Sequence, residues 1–383
     1  MEKGRILDEF CKVCGYARKY AIRVLNSSEK GKGDTKKRGP RVRYGAEVVA
    51  VLERIWLATD QVCSKRLKAA IPLWLPHYEE KYGDLPEATR TKILTLSPAT
   101  MDRLLSPVRL KRRPMGIGGT RPSTWLRNQI PIRTSTWDIT RPGYLEADPV
   151  AHCGNSMEGD FVWSLTFTDI YSGWTENRAT WNRGARGVLT QIRDVEISLV
   201  FPILGFDCDN GSEFLNYPLF RYWTGRNAPV SFTRGRPYHT NDSAHVEQKN
   251  WTHVRQLLGY DRFSNPDLVE PLNSLYAHEW SQFQNFFCPT LKLESKERIN
   301  SKIRRRYGKP QTPAERLLAC PDVTPEAKQR LRETLRSLNP FHLREAIERK
   351  LKMIFNLHEE TKHGSAICSE RVFNSSRPTA SFR

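Results

Sequence analysis

Apolar residues recur at helical spacing over the first quarter of the chain. Ile6, Leu7, Phe10 and Val13, then Ala21, Val24 and Leu25, form two short stripes on either side of Gly15, the pattern of two helices joined by a turn. Arg18, Lys19 and Arg23 fall on the other side of the second stripe. That is the layout of a helix-turn-helix whose second helix enters a major groove; a helical hairpin with a solvated basic face gives the same pattern. After the polar, Lys/Arg-rich stretch 29–43, Val48, Val49, Leu52, Ile55 and Trp56 predict a further helix. Ser97 followed by Pro98 marks a helix start, since the hydroxyl caps free N–H groups and proline suits the first turn.

From residue 144 the period shortens. "YLEADPVA", "FVWSLTFTDI" and "GWTENRATW" read as three strands, "GARGVLTQIRDVEISL" as a helix, "VFPILGFDCD" as a strand, "SEFLNYPLFRYW" as a helix, "PVSFT" as a strand and "SAHVEQKNWTHVRQLLG" as a long helix. Strands and helices in that order make a mixed α/β layer fold and not a sandwich or a bundle. The remainder reads as mainly helical, with Asn339-Pro340 starting one helix, and the Ser- and Arg-containing tail is too poor in apolar residues to pack. The expected organisation is a helix-turn-helix (1–28), a basic linker (29–43), a second helical DNA-binding domain (44–108), a basic connector (109–135), an α/β core (136–290), a basic, mainly helical C-terminal region (291–357) and a disordered tail (358–383).

Charge sharpens this division. The formal net charge is +19, yet residues 144–287 hold 17 Asp and Glu against 11 Lys and Arg. An acidic centre of net −6 therefore sits between flanks of net +25. A balance this basic points to a polyanionic partner, nucleic acid first. A membrane is excluded as the partner: the longest mostly apolar run, 198–206, is too short to span one, and the N-terminus lacks a signal-like apolar stretch. The expected location is the cytoplasm, at the nucleoid. The eight cysteines have no disulfide-like rhythm, and Cys11-x-x-Cys14 has no second pair and no nearby histidine to complete a zinc site.

Carboxylates with fixed directions are the candidates for chemistry. Glu146 and Asp148 alternate onto one face of the first strand, and an edge ion pair is the plainer role for one of them. Asp209 closes the fourth strand before the turn pair Asn210-Gly211, at the sheet edge where open α/β sheets bind ligands. Asp207 shares its face, one step back. Glu247 lies on a helix with Trp251, Val254 and Leu258 spaced to share its face, which turns the glutamate toward the sheet.

The segments "LEAD", "SLTFTDIYSGW", "DCDNGSEF" and "RPYHTNDSAHVEQKN", in this order and spacing, resemble the integrase core shared by retroviral-type integrases and bacterial insertion-sequence transposases of the DDE class. The resemblance covers roughly 140–320 and extends to "KPQTPAERLL". It departs at His239-Thr240, where His-Pro is usual, and at Asp242, read as a helix N-cap. Asp169 reads as a strand-turn residue, and His152, His239, His245 and His253 as DNA contacts or structural groups. The resemblance implies a ribonuclease H-like fold in which Asp148, Asp209 and Glu247 bind Mg²⁺, with Mn²⁺ as a substitute. It further implies nicking of transposon terminal repeats and joining to target DNA by a homo-oligomer on paired ends. The DNA contacts expected are Arg18, Lys19, Arg23, Arg112, Arg113, Lys249, Arg255, Arg304, Arg305 and Arg306. A DNA-binding regulator with a silent core, or a plain nuclease, remains open on the same residues.

Overall fold

The computed structural model describes residues 2–26, 43–109, 139–209, 211–234, 244–299 and 302–375. The chain divides into two compact units, Met1–Gly45 and Ala46–Arg383. In the first, α1 (Glu2–Cys14) and α2 (Arg18–Asn26) meet at Gly15, whose φ of +69° lets one helix stop and the chain turn. Arg18 binds Asp8, and the Tyr16 and Tyr20 rings meet edge to face at 4.9 Å. Ala21 is fully buried, but Ile6 and Val13 are 59% and 85% exposed, so the stripe on α1 is not covered within this unit.

The second unit is built on five strands: β1 (Tyr144–Ala151), β2 (Val162–Asp169), β3 (Thr175–Trp181), β4 (Gly205–Cys208) and β5 (Ser231–Arg234). Their order is β3-β2-β1-β4-β5, with β1, β2 and β3 antiparallel and β4 and β5 running parallel to β1. The alternation legible in the sequence gives this sheet two unlike faces. Leu145, Ala147, Phe167, Phe206 and Phe232 share one by register. Against it α8 (Tyr217–Thr224) sets Trp223, 5.0 Å from the Phe206 ring, and α7 (Ala185–Ser198) buries Val188, Ile192 and Val195. The other face carries Glu146, Asp148, Thr166, Thr168, Asn177, Asp207 and Thr233. Its polar side chains are tied together, Asn177 Nδ2 donating to Thr166 Oγ1 at 3.0 Å and the Thr168 and Thr175 hydroxyls meeting at 3.2 Å.

Helices cover this polar face as well. The long helix expected over 243–259 forms as α9 (Ala244–Lys249), a π-helical stretch (Asn250–Arg255) and α10 (Gln256–Leu258). After it come α11 (Val269–Leu275), a second π-helical stretch (Tyr276–Trp280) and α12 (Ser281–Phe287). Two asparagines clasp the free edge of β3. Asn273 Oδ1 accepts from Ala179 N at 2.6 Å and its Nδ2 donates to Ala179 O at 2.9 Å, while Asn285 does the same for Thr175, both at 2.9 Å. Side-chain amides thus take the place of a sixth strand, and the edge offers less to a foreign chain.

The helices α3 (Ala46–Ala58), α4 (Ser64–Tyr82), α5 (Glu87–Thr95) and α6 (Pro98–Arg109) belong to the same unit. Ser97 caps α6 through its hydroxyl, 3.2 Å from Thr100 N. Trp74 of α4, fully buried, donates from Nε1 to Phe287 O at 3.0 Å and packs edge to face on Phe283, Phe287 and Phe341. Phe341 comes from α15 (Pro340–Ser375), which follows α13 (Pro313–Ala319) and α14 (Pro325–Ser337). Helix α15 runs on through 358–375, where composition predicts disorder. A strand pair that the helical reading of 291–357 does not anticipate, β6 (Leu293–Ile299) and β7 (Lys302–Tyr307), precedes these helices. Among the described residues, no helix is long and apolar enough to cross a membrane.

His152, fully buried after β1, stacks on Phe263 at 4.9 Å and shares a 2.8 Å hydrogen bond between Nε2 and Ser164 Oγ. Burial, and then the charge of Arg255, pushes its imidazole down to about 3. The folded chain holds it neutral, while the unfolded chain takes a proton below about pH 6.5. Its contribution is therefore complete above that pH and is lost as pH falls toward 3. In urea titrations His152→Gln should flatten the fall in stability between about pH 6.5 and pH 4; an unchanged slope would show that His152 is not held neutral. Asn285→Leu, which strips both bonds from Thr175, should cost about 1–3 kcal/mol in the same assay.

A candidate carboxylate site on the polar face

The parallel register of β1 and β4 sets Glu146 opposite Asp207. Two residues further along β1 stands Asp148, on the face of Glu146, and Asp209 directly follows the last residue of β4, at the C-terminal edge of the parallel pair. Glu146 and Asp207 are each 1% exposed, whereas Asp148 and Asp209 are half-buried at the mouth. Asp207 Oδ1 accepts from Thr233 Oγ1 at 2.5 Å, and Glu146 Oε2 accepts from the Val246 amide at 3.3 Å. Asp209 Oδ1 accepts from Gly211 N at 2.9 Å, so the turn pair legible in the sequence fixes the carboxylate's direction.

Helix α9 lies across this row. Its Val246 amide reaches Glu146, and just beyond its end Asn250 Nδ2 donates to Asp148 Oδ2. Glu247 stands between those two contacts, and for it the structure describes the backbone. Val254 and Leu258 are buried as expected, but Trp251 is 47% exposed. The correction has a local cause: the π-helical stretch from Asn250 widens each turn, which rotates Trp251 away from the inward face.

Glu213 joins the acidic group although it is not among the expected site residues. It is 4% exposed, and burial followed by the charge of Asp209 raises its carboxyl, opposed by Arg183 at 3.8 Å. The buried Cys208 thiol is likewise held well above its usual range, by burial first and then by Asp209, Asp207 and Glu213, with Arg234 opposing. Asn250 and Thr233 were also missed. Asn250 lies three residues beyond Glu247 and so carried a helical signal, whereas Thr233 becomes visible only through the pairing of β4 with β5.

The expected DNA contacts divide by location. Arg18, Lys19, Arg23, Arg304 and Arg306 are exposed. Arg112 and Arg113 lie outside the described residues, as do His239 and Asp242, and Arg305 is described by its backbone alone. Lys249 and Arg255 depart from expectation because α9 packs on β1 and β2 and the π-helical stretch on β1. Lys249 is 9% exposed, its amine lowered to about 7 by burial and then by Arg66 and Arg316. Arg255 is half-buried, donating to Ala151 O at 2.9 Å and lying 4.7 Å over the Tyr260 ring. His253 is buried beside Trp280. Asp169 ties the β2–β3 turn to the start of β1, accepting from Gly143 N at 2.8 Å and from Ser172 N and Oγ at 2.7 and 2.6 Å.

The uncharacterized protein y4rM of Sinorhizobium fredii (strain NBRC 101917 / NGR234) is 42% identical over 322 residues, which span 82% of this chain and 89% of that protein. The chain belongs to the y4rM family. No family model matches it. Among solved structures, the HTLV-2 integrase catalytic core domain in complex with magnesium, in its dimeric form, aligns at 16% identity with a TM-score of 0.28, over 39% of this y4rM-family chain and 90% of that one.

Proposed function

We propose that the chain is a polynucleotidyl transferase of the transposase kind, nicking the ends of a mobile element and joining the freed 3′-hydroxyl to target DNA. The observation that supports this reading is the β1–β4 register, whose last pair, Ala147 and Cys208, immediately precedes Asp148 and Asp209, with the helix that bears Glu247 packed on β1 and β2. A five-stranded mixed sheet in the order β3-β2-β1-β4-β5 is in keeping with a ribonuclease H-like core.

Asp148, Asp209 and Glu247 are the residues that would hold Mg²⁺, or Mn²⁺ in its place. Among the described residues no group of three His, Cys, Asp or Glu side chains forms a metal cluster; the Glu247 side chain is outside that set. The donor chemistry fits, since oxygen ligands suit a hard cation. So does the acidic field of Asp207, Asp209 and Glu213 around Cys208, which a bound cation would offset. When bound, such ions supply Lewis-acid activation of the phosphodiester and of the attacking water or hydroxyl.

The chain's own part is to position. Asn250 holds one oxygen of Asp148, and the Gly211 amide holds one oxygen of Asp209, so both carboxylates keep fixed directions. DNA would be gripped by Arg18, Lys19 and Arg23 on α2, by the connector's Arg112 and Arg113, and by the β6–β7 ribbon. That ribbon presents exposed Arg304 and Arg306 on either side of Arg305, and a two-stranded ribbon is narrow enough for a major groove. Synapsis of two ends would call for at least a dimer on paired terminal repeats.

Incubation with labelled duplexes from the DNA flanking its own gene, with Mg²⁺ or Mn²⁺, should give 3′-nicked and joined products. Asp209→Asn and Glu247→Gln should each reduce both products by about a thousandfold or more. Wild-type levels in either variant would displace the site. Binding without products in the wild type would point instead to a regulator, and nicks without joining to a nuclease. Replacing Arg18, Lys19 and Arg23 together by Ala should weaken end binding and reduce the slope of log K against log[salt] by up to about 3; an unchanged slope would remove α2 from the interface.

A further inference from the structure

Three cations from three separate elements come together at the segment that follows α12, residues 288–290. Arg66, on α4, donates through Nε to Pro289 O at 2.5 Å. Arg316, on α13, donates through Nη1 to Thr290 Oγ1 at 2.7 Å and to Ser172 O at 2.8 Å, and through Nη2 to Thr290 O at 2.5 Å. Lys249, the last residue of α9, lies within the field of both guanidiniums. Arg66 and Lys249 both act on the Cys288 thiol and on His253.

Among the described residues no carboxylate bonds to any of the three, although the charge of Glu315 reaches Arg316. Every acceptor of Arg66 and Arg316 is a neutral oxygen, and among the described residues the Lys249 amine forms no hydrogen bond or ion pair, although it is 9% exposed. Glu315, next to Arg316, accepts from Thr312 N at 2.7 Å in a capping box. Asp60, whose charge reaches Cys288, is bound by Arg344. Burying a charge without a partner is costly, and here the lysine shares its surroundings with two more positive groups. Because Nε of Arg66 is anchored on Pro289, its Nη edge is held in place, and among the described residues those nitrogens carry no bond.

We propose that Lys249, Arg66 and Arg316 form a binding site for a single phosphate group, wedged between α9, α4 and α13. A tetrahedral oxyanion matches a fixed guanidinium edge and an ammonium point charge. It would link the helices α3–α6 to the sheet helices, in a place where, among the described residues, no carboxylate bonds to Lys249 or Arg66. The site is distinct from the carboxylate row and stands whether or not that row is catalytic. The phosphate belongs either to a free ion or nucleotide, or to a DNA backbone.

Thermal unfolding of the full chain in rising inorganic phosphate, with ionic strength held constant by chloride, tests the site. The wild type should gain roughly 3–6 °C saturably as phosphate reaches about a hundred times its Kd. Lys249→Met, which keeps length and removes charge, should lose that gain, while its unliganded Tm should equal or exceed that of the wild type. The exposed Lys65→Met should respond as the wild type does. Should Lys249→Met fail to fold, Arg66→Gln carries the same comparison. A wild-type response no larger than that to chloride, or a full response retained in the folded Lys249→Met or Arg66→Gln protein, would overturn the site. Once the site is established, a duplex oligonucleotide separates the sources: competition between duplex and inorganic phosphate, with weaker duplex binding by Lys249→Met, identifies a DNA phosphate. Independent binding identifies a free one.

Discussion

The register of β1 against β4 is the constraint on which the rest of this molecule depends. In a parallel pair, residues opposite one another point to the same face, so Glu146 stands beside Asp207, with Asp148 further along the same face of β1. The register also collects Leu145, Ala147, Phe206 and their neighbours on the other. A slip of one residue would put acidic side chains into an aromatic layer with nothing to bind them. The Phe206 ring packs at the centre of that layer, among Phe167, Phe214, Trp223 and Phe232.

A polar face buried under helices needs every donor and acceptor accounted for. Threonines and Asn177 bond along the sheet, Asn273 and Asn285 close the edge of β3, and the amide of Val246 and side chain of Asn250 meet Glu146 and Asp148. The same helices therefore close the fold and orient the carboxylates. Two π-helical stretches lie in this cover, Asn250–Arg255 and Tyr276–Trp280. The first changes which side chains face inward, leaving Trp251 in solvent and Arg255 against β1.

The helices α3–α6 are joined to this assembly through Trp74 and the aromatic cluster of α12 and α15, and through Arg66 at Pro289. The apolar contacts fix the position of α4, and Arg66 is drawn in with it. An acidic centre between basic flanks, visible as bulk charge, thus becomes two opposite local fields, one around Cys208 and one around Lys249.

Much of this was legible in the residues. Alternation in "YLEADPVA" and "FDCD" determined which carboxylates share a face, the Asn-Gly pair determined where β4 ends, and Ser97-Pro98 determined where α6 starts, because each is a local effect of backbone geometry or capping. Glu213, Thr233 and Asn250 entered the site only with the fold, since their neighbours come from other strands and helices. The β6–β7 ribbon was hidden for a related reason: a basic, little-buried segment carries no hydrophobic period to read. Lys249 and Arg255 show the limit most plainly. In sequence they are cations on a helix beside an acidic motif, as suited to DNA as Arg18 or Arg304. Whether such a side chain faces solvent or the interior is decided by what packs against its helix, and β1 and β2 reach α9 only through tertiary structure.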